Sequence, residues 1–375
     1  MPRFVSAVLF VLFGAGAIPA HAAVTCVATP AQLATALAMA AENGQNDEIR
    51  LRRGTYTATQ PAMFEYATAN QEPFDFAMSG DWNSNCTQQG DDPLSTIIDG
   101  NQVSRALRIS TISPGASVSV RLLTFLGGTA TANGGSGGGL QISVVNSNEP
   151  STITIERNAF LLNQADQSAG ALQASGGAFQ WIVNNVFVAN TAQYSSAVHM
   201  QCRPIVGDID QPGFGAFTNN TIVNNHYTDP DSWTVLVGCG GGAIVANNNF
   251  DGNSGDWDIL FSRASGDPGT FILRNNNVNN ESIADISEGN INVDPEYEAG
   301  FLDFLNFTPV RNSPLVDAGT EPVGILSFWY LTDFDLIALP RVIGPHVDIG
   351  AFENDRIFDD GFESPGPLRH AVRIR

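Results

Sequence analysis

The sequence predicts an all-β solenoid, in which short strands and turns form coils that stack along one axis and a helix closes the N-terminal end. Three observations lead to this prediction. An asparagine motif recurs five times between residues 151 and 281, short runs of strand-like alternation precede the motif, and the composition suits a turn-rich β protein. Among 375 residues there are 37 Gly, and only 15% of the residues are charged.

The motif consists of Asn, any residue, a large apolar residue, two further residues and Asn again. Its copies begin at Asn158, Asn185, Asn220, Asn248 and Asn276, and their starts are 27, 35, 28 and 28 residues apart. The fifth copy is degenerate, because it ends in Glu281. A period in this range is typical of repeat architectures. The apolar positions Phe160, Phe187, Ile222 and Phe250 should therefore form one inward-facing file.

Alternating apolar residues precede the first and last copies, as Ile153 with Ile155 and Phe271 with Leu273. Alternation of this kind has the period of a strand with one buried face, and no helical period is present. Each repeat then consists of a strand, an Asn turn, a strand and a loop rich in Gly, Ser and Asp. One coil cannot bury its own apolar face, so coils must stack at about 4.8 Å.

The motif asparagines have a structural explanation. Asn tolerates the left-handed backbone of a sharp corner, and its amide can bond to the same residue one coil away. We therefore interpret Asn158, Asn185, Asn220, Asn248 and Asn276 as structural turns, with ligand binding as the alternative.

The first 22 residues have the pattern of a secretory signal peptide. Arg3 is the positive start, Phe4–Ile18 is the apolar segment, and Ala20-His21-Ala22 resembles a cleavage site. The apolar run is too short for a stable membrane span, although a retained anchor is an alternative. We expect a signal peptide over residues 1–22, one solenoid domain over 23–353 and a tail over 354–375. The protein should be exported to the cell surface or medium, or to a periplasm, with no membrane span after cleavage.

The formal net charge is −21, and every basic residue is Arg. Such a chain repels phosphate backbones, which argues against nucleic-acid binding. It also repels acidic polysaccharides unless cations bridge the two. Solubility of an exported protein explains the charge equally well.

Four cysteines remain after signal cleavage, which suggests two disulfides in an exported chain. Three connectivities are possible. We favour Cys26–Cys86 and Cys202–Cys239, because neighbouring coils bring such positions together. A metal site of Cys202, Cys239 and His199 is the alternative, but the C-x-x-C spacing of zinc sites is missing.

The chain before the repeats supplies a cap and the first coils. After a short strand at Val24–Val27, Thr29 caps a helix that has Pro30 at its first position. Leu33, Leu37 and Ala41 lie on one face of this helix, which should cover the open end of the first coil. The remaining predictions for this region are strands at Glu48–Leu51, Phe74–Met78, Thr96–Ile98, Leu107–Ile109 and Val118–Val120, and turns at Gly54–Tyr56 and Asp99–Gly100.

Leu123–Gly128 occupies the frame of the repeat without its asparagines. The Gly-rich run Gly134–Gly139 lacks the strand-to-helix context of a phosphate-binding loop. Beyond the repeats, we interpret Asn290–Pro295 and Ser313–Gly319 as the final coils and a closing segment, and Val347–Glu353 as a last strand-like piece.

Three features resemble right-handed parallel β-helix proteins of the pectin-lyase-like class. They are the start ATPAQLATAL followed by DEIRLRRGTY, the Asn-turn coils, and the pair NSPLVDAG and PRVIGPHVDIGAFE. The pair resembles the end of the β-helix in many exported bacterial surface proteins. The resemblance covers residues 24 to 353 and implies the fold, but this fold carries lyases, hydrolases and adhesins alike. The tail sequence IFDDGFES resembles a terminal segment of exported bacterial proteins, with a disordered tail as the alternative.

Candidate site residues lie mainly on the loops inserted between coils. Alternate acids suit a hard cation such as calcium, and basic and aromatic residues lie near them. The candidates are Asp208, Asp210, Asp229, Asp231, Asp256, Asp258, Arg203, Arg263, Trp233 and Trp257. Solvated loop acids are the simpler interpretation. Trp faces can stack on sugar rings, whereas Trp181 lies within a predicted strand and should pack.

No lyase or hydrolase motif is present. The main hypothesis is non-catalytic binding of carbohydrate or of a surface partner. The alternatives are a polysaccharide lyase or glycoside hydrolase that uses the Asp and Arg loops, and a purely structural surface module.

Overall fold

A computed structural model of the chain describes residues 22–354 except 69–73, 112–114, 132–134, 145–149, 178, 203–212, 256, 264–268, 282–283, 299–305 and 323–328. The predicted signal peptide, apart from Ala22, and the tail beyond Asn354 lie outside the described residues.

The N-terminal elements are one helix and short strands. They are β1 (Ala23–Val27), α1 (Pro30–Ala40), β2 (Asp47–Arg52), β3 (Gly54–Thr57), β4 (Glu65–Ala67), β5 (Phe76–Trp82), a 3-10 helix (Pro93–Ser95), β6 (Thr96–Asp99), β7 (Leu107–Thr111), β8 (Val118–Arg121), β9 (Thr124–Leu126), β10 (Thr129–Ala130) and β11 (Leu140–Val144).

The repeat region continues with strands alone. They are β12 (Thr152–Glu156), β13 (Ala159–Leu161), β14 (Gln164–Ala165), β15 (Leu172–Ser175), β16 (Phe179–Val183), β17 (Val186–Val188), β18 (Thr191–Ala192), β19 (Val198–Cys202), β20 (Phe214–Thr218), β21 (Thr221–Val223), β22 (His226–Tyr227), β23 (Trp233–Cys239), β24 (Gly242–Ala246), β25 (Asn249–Asp251), β26 (Trp257–Phe261), β27 (Thr270–Arg274) and β28 (Ile286–Glu288).

These strands form four parallel sheets, so the described chain is an all-β parallel β-helix. Sheet A has the order β1-β2-β5-β8-β12-β16-β20-β24-β27-β28, and sheet B has the order β3-β6-β9-β13-β17-β21-β25. Sheet C has the order β4-β7-β11-β15-β19-β23-β26, and the small sheet D has the order β10-β14-β18-β22. Seven coils, from the one that begins with β2 to the one that ends with β26, therefore contribute one strand to each of the long sheets.

The predicted inward file forms the centre of sheet B. Phe125, Phe160, Phe187, Ile222 and Phe250 are register partners from coil to coil. All five are at most 5% exposed, and the rings of Phe160 and Phe187 stack with centroids 4.8 Å apart. Phe125 belongs to the file because Leu123–Gly128 does occupy the repeat frame.

The motif asparagines form two hydrogen-bonded ladders inside the turns. In the first ladder, the side-chain amide of Asn158 donates to Asn185 Oδ1 at 3.1 Å, and the same bond recurs through Asn220, Asn248 and Asn276 to Asn290. The second ladder joins the closing residues Asn163, Asn190, Asn225 and Asn253. Each Oδ1 also accepts the backbone N–H of the ladder residue one coil before it, for example Asn158 N–H at 2.9 Å.

The corners are not made by the ladder asparagines themselves, which corrects one expectation. The left-handed residue precedes the ladder residue, with φ 58° at Asn184, 55° at Asn219, 58° at Asn247 and 51° at Asn275. Asn is favoured there because its short polar side chain tolerates this backbone. Arg157 occupies the same position with φ 53°.

The helix α1 covers the N-terminal end as predicted. The Thr29 hydroxyl accepts the Gln32 N–H, Pro30 begins the helix, and Leu33 and Leu37 are fully buried. The helix contacts strands β1 to β4 of the first coil. It therefore closes the apolar core where no earlier coil is present.

Two disulfides, Cys26–Cys86 and Cys202–Cys239, have the connectivity favoured from the sequence. Cys26 is on β1 and Cys86 follows β5, and β2 lies between these two strands in sheet A. Cys202 and Cys239 are register partners on β19 and β23. Because Cys202 and Cys239 form a disulfide with each other, they cannot be thiolate ligands of a metal.

The chain after β28, which we call the C-terminal segment, forms no strand at Val347–Glu353, and this corrects the prediction of a last strand there. Ser313–Gly319 forms turns and no strand. A second prediction is corrected near the N-terminus, where Gly54–Tyr56 lies within β3 and is not a turn. Ile291 still bridges to Asn277, so residues 290–293 stack on the last coil.

This C-terminal segment covers the outward apolar side chains of sheets A and B. On sheet B, Phe352, Leu336 and Ala351 pack against Ala159, Leu161, Val186 and Val188. On sheet A, Trp329 packs against Ala216, Ile244, Ala246 and Ile272. The corner asparagines bind the same segment, since Asn184 donates to Phe334 O, Asn247 to Thr320 O and Asn275 to Ala318 O.

Candidate functional site

The outward side of sheet C differs from the outward sides of sheets A and B, because a row of polar side chains runs along its first five strands. Register places Glu65, Arg108, Gln141, Gln173 and His199 one after another. Gln141 Nε2 donates to Gln173 Oε1 at 2.8 Å, and His199 Nδ1 lies 3.1 Å from Ser168 Oγ. Burial lowers the pKa of His199, so the imidazole is neutral at pH 7.

An aromatic column lies at the start of the last strands of sheet C. Trp233 and Trp257 are register partners on β23 and β26, so they are about 4.8 Å apart along the axis. The ring of Tyr194 stacks on Trp233, with centroids 6.0 Å apart. Trp257 is 42% exposed, and Trp233 is partly exposed. We refer to Tyr194, Trp233 and Trp257 as the aromatic face.

Hydrogen bonds anchor two members of the aromatic face, Trp233 and Tyr194. Trp233 Nε1 donates to the buried Ser195 Oγ at 2.6 Å. The Asp229 carboxylate accepts from Gln193 Nε2 at 3.4 Å and lies beside Tyr194, where its charge raises the pKa of the phenol. Asp231 N–H donates to Asp229 Oδ1 at 3.1 Å. The predicted loop acids Asp229 and Asp231 therefore support the rim of the aromatic face.

A cleft of about 270 Å³ has Asp258, the residue after Trp257, in its lining, and we call it the C-terminal cleft. Amide and carboxyl groups line most of it, and Phe250 and Val293 provide apolar contacts. The polar lining residues are Asp251, Asn253, Asp258, Asn279, Asn280 and Asn292.

Two carboxyl groups of this cleft have raised pKa values. Burial raises the pKa of Asp258 to about 6, although its carboxylate accepts the Asn279 N–H at 2.8 Å. Burial also raises the pKa of Asp251, and the hydroxyl of Tyr297 opposes that shift by hydrogen bonding to the carboxylate. The charge of Asp251 adds to the raised pKa of Asp258, so Asp258 can retain a proton in mildly acidic solution.

The other predicted site residues are not brought together. Arg263 forms an ion pair with Asp285, and its guanidinium lies over the ring of Phe271, 4.6 Å from the centroid. The contacts of Asp229 lead to Gln193 and Tyr194, whereas those of Asp258 lead to Asn279 and Asn280 on the next coil. Arg203, Asp208, Asp210 and Asp256 lie outside the described residues. In the described ranges, no group of three or more His, Cys, Asp or Glu side chains could hold a metal ion.

Sequence reasoning missed Tyr194, Asp251 and the cleft asparagines. Asp251 directly follows Phe250 of the fourth motif, so its position at a strand end was readable. Tyr194 was not readable, because the paired positions Ala192 and Val198 are six residues apart, whereas their partners Tyr227 and Val235 on the next coil are eight residues apart. Trp181 packs beside Phe179, with ring centroids 5.6 Å apart, in the cluster around Trp329.

Comparisons of the chain with protein-family models, curated proteins and solved structures found no match. Among the helices in the described part of the chain, none has the length and apolar character needed to span a membrane.

Proposed function

We propose that this protein binds a neutral carbohydrate at the aromatic face and the adjoining C-terminal cleft. The observation that carries the proposal is the exposed Trp257, in register with Trp233 and followed in the chain by Asp258, which lines a cleft of amides and carboxyls. A flat apolar ring next to convergent hydrogen-bonding groups suits a sugar, which has apolar ring faces and a polar edge.

The charge of the site supports a neutral ligand over an acidic one. Asp229 adjoins the aromatic face, Asp251 and Asp258 line the cleft, and the net charge of the chain is −21. A uronate or a sulfated sugar would be repelled by these carboxylates unless a cation lay between them. Neutral hydroxyls can instead donate to the carboxylates and accept from the asparagine amides.

The setting of this activity is part of the proposal. The parallel β-helix, the two disulfides and the signal-like sequence of residues 1–22 all support an exported protein of the pectin-lyase-like class, acting at or beyond a bacterial cell surface. Binding without catalysis is consistent with the lack of a lyase or hydrolase motif in the sequence.

The test is a glycan array followed by calorimetry on each retained glycan. Trp257→Ala should weaken binding at least tenfold, a loss of about 1.4 kcal/mol or more, because a stacked Trp anchor is removed. Phe334→Ala is the matched control, since Phe334 is 43% exposed but lies on the C-terminal segment. Retention of no glycan, or equal affinity in both variants, would contradict the proposal.

A second candidate is glycoside hydrolysis, favoured by Asp258. A carboxyl with a pKa of about 6 beside a second carboxyl, Asp251, is the combination that a general acid and its partner require. Incubation with a polysaccharide panel, with and without calcium, should then release reducing ends, and Asp258→Asn should abolish the release. No product on any polysaccharide would eliminate this candidate. If no glycan binds either, a structural surface module is left.

A further inference from the structure

A second cleft lies at the other end of sheet C, far along the axis from Trp257. Its volume is about 190 Å³, and it lies between the strands β4 and β7 and the turns next to them. Arg105 and Arg108 both line it, together with Glu65, Phe64, Val103 and Ser104. We call it the arginine cleft.

The next coil fixes the guanidinium of Arg105. Its Nε donates to Gly137 O and its Nη2 to Ser136 O, both at 2.8 Å. A guanidinium carries five N–H donors, so these two bonds leave donors for a further acceptor. Arg108 donates from Nη1 to Glu65 Oε1 at 2.5 Å and likewise has donors to spare.

The lining of the cleft has an excess of positive charge. It contains two guanidinium groups and a single carboxylate, Glu65, in a chain whose net charge is −21. Burial and, to a smaller extent, the neighbouring charge of Arg108 lower the pKa of Arg105 to about 10, against the opposing charge of Glu65. A bound anion would offset both the burial of the Arg105 charge and its repulsion by Arg108, because its negative charge would neutralise the guanidinium.

We propose that the arginine cleft binds a small oxyanion, a carboxylate, sulfate or phosphate group, between Arg105 and Arg108. Guanidinium groups recognise oxyanions with paired N–H donors, which is why Arg is common at such sites. The cleft is smaller than the roughly 300 Å³ of drug-sized pockets, so it suits a single small group. Phe64 and Val103 supply apolar contacts for the carbon skeleton that carries the group.

Calorimetric titration of the full chain with acetate, sulfate and inorganic phosphate, in a constant low-chloride buffer, tests this proposal. At least one of the three anions should bind at one saturable site. Arg108→Gln should weaken that binding at least tenfold, since a charged donor is lost. Arg121→Gln removes the same charge from an exposed position on β8 and should leave the affinity unchanged. The order of affinity among the three anions identifies the group.

A second variant distinguishes loss of anion binding from loss of folding. Val103 is 46% exposed in a turn, so Val103→Glu should leave the fold intact while placing a negative charge at the rim of the cleft. Binding should then be lost, with the thermal unfolding midpoint unchanged. Absence of saturable binding for all three anions, or equal weakening by Arg108→Gln and Arg121→Gln, would overturn the proposal. Because no glycan is used, its outcome is independent of the carbohydrate experiment.

Discussion

Removal of one ladder side chain tests whether the asparagines hold the coils together. Asn220 is fully buried and lies in the middle of the first ladder. Its amide donates to Ile182 O at 2.9 Å and to Asn248 Oδ1 at 3.0 Å. Its Oδ1 accepts the backbone N–H of Asn185 at 2.9 Å and the side-chain amide of Asn185 at 3.1 Å.

The cost of Asn220→Ala follows from these four bonds. The buried Asn185 N–H loses its acceptor, which costs about 1–3 kcal/mol. The three other bonds contribute about 0.5–1.5 kcal/mol each. The expected loss of unfolding free energy is therefore about 3–7 kcal/mol, measured by urea denaturation with circular dichroism. Asn292→Ala is the control, because it removes one bond from an exposed side chain and should cost about 0.5 kcal/mol or less.

The variant Asn220→Asp separates hydrogen bonding from packing. Asp has nearly the same shape, but its carboxylate cannot donate to Ile182 O or to Asn248 Oδ1. Its folded pKa should lie above the unfolded value near 3.9, so the variant should gain stability as the pH falls through the folded pKa. A variant Asn220→Ala as stable as Asn292→Ala, or an Asn220→Asp variant without this pH dependence, would refute the ladder argument.

Three further predictions concern the core, one disulfide and the C-terminal segment. Phe187→Ala should cost about 3–5 kcal/mol in urea denaturation, because a fully buried ring leaves the file; a cost under about 1 kcal/mol would contradict the packing. Replacing Cys202 and Cys239 together by Ala should cost about 2–5 kcal/mol, measured the same way, since a covalent link between neighbouring coils is lost. Burial raises the pKa of Glu353 from 4.5 to about 9, so stability should fall as the pH rises between these values, and Glu353→Gln should reduce that slope in thermal scans at pH 5 to 9. A slope unchanged in Glu353→Gln would show that this carboxyl is not the cause.

The repeat made most of the fold predictable. Because stacked coils repeat the same environment, the spacing of Phe160, Phe187 and Ile222 determines both the buried file and the register. The capping helix was predictable for a local reason, since Thr29 and Pro30 act within one turn. The position of the left-handed residue at each corner was not predicted correctly. Two neighbouring asparagines such as Asn184 and Asn185 have different roles: the first adopts the left-handed backbone, and the second forms the ladder hydrogen bond.

The C-terminal segment was misinterpreted because its residues have the apolar content of a coil but not its environment. Val347 and Ile349 are buried, yet the segment lies across the outside of the solenoid. Burial against an outer face depends on residues far away in the sequence, such as Asn247, whose backbone carbonyl accepts the Gly350 N–H. Local alternation cannot distinguish that kind of burial from a place in the core.

The C-terminal segment covers the outer faces of sheets A and B, which leaves the outer face of sheet C as the place for a binding site. The outward side chains of sheets A and B include Ile244, Ile272, Leu161 and Val188, which must be removed from water, and the C-terminal segment does so. The outward row of sheet C needs no such cover along its polar strands.

The aromatic face and both clefts lie along this sheet or at its ends. Five strand spacings separate β7 from β26, so the arginine cleft and Trp257 lie about 24 Å apart along sheet C. An elongated ligand could therefore contact both, which predicts that a glycan carrying one terminal acidic group binds more tightly than its neutral counterpart, and that Arg108→Gln removes the difference.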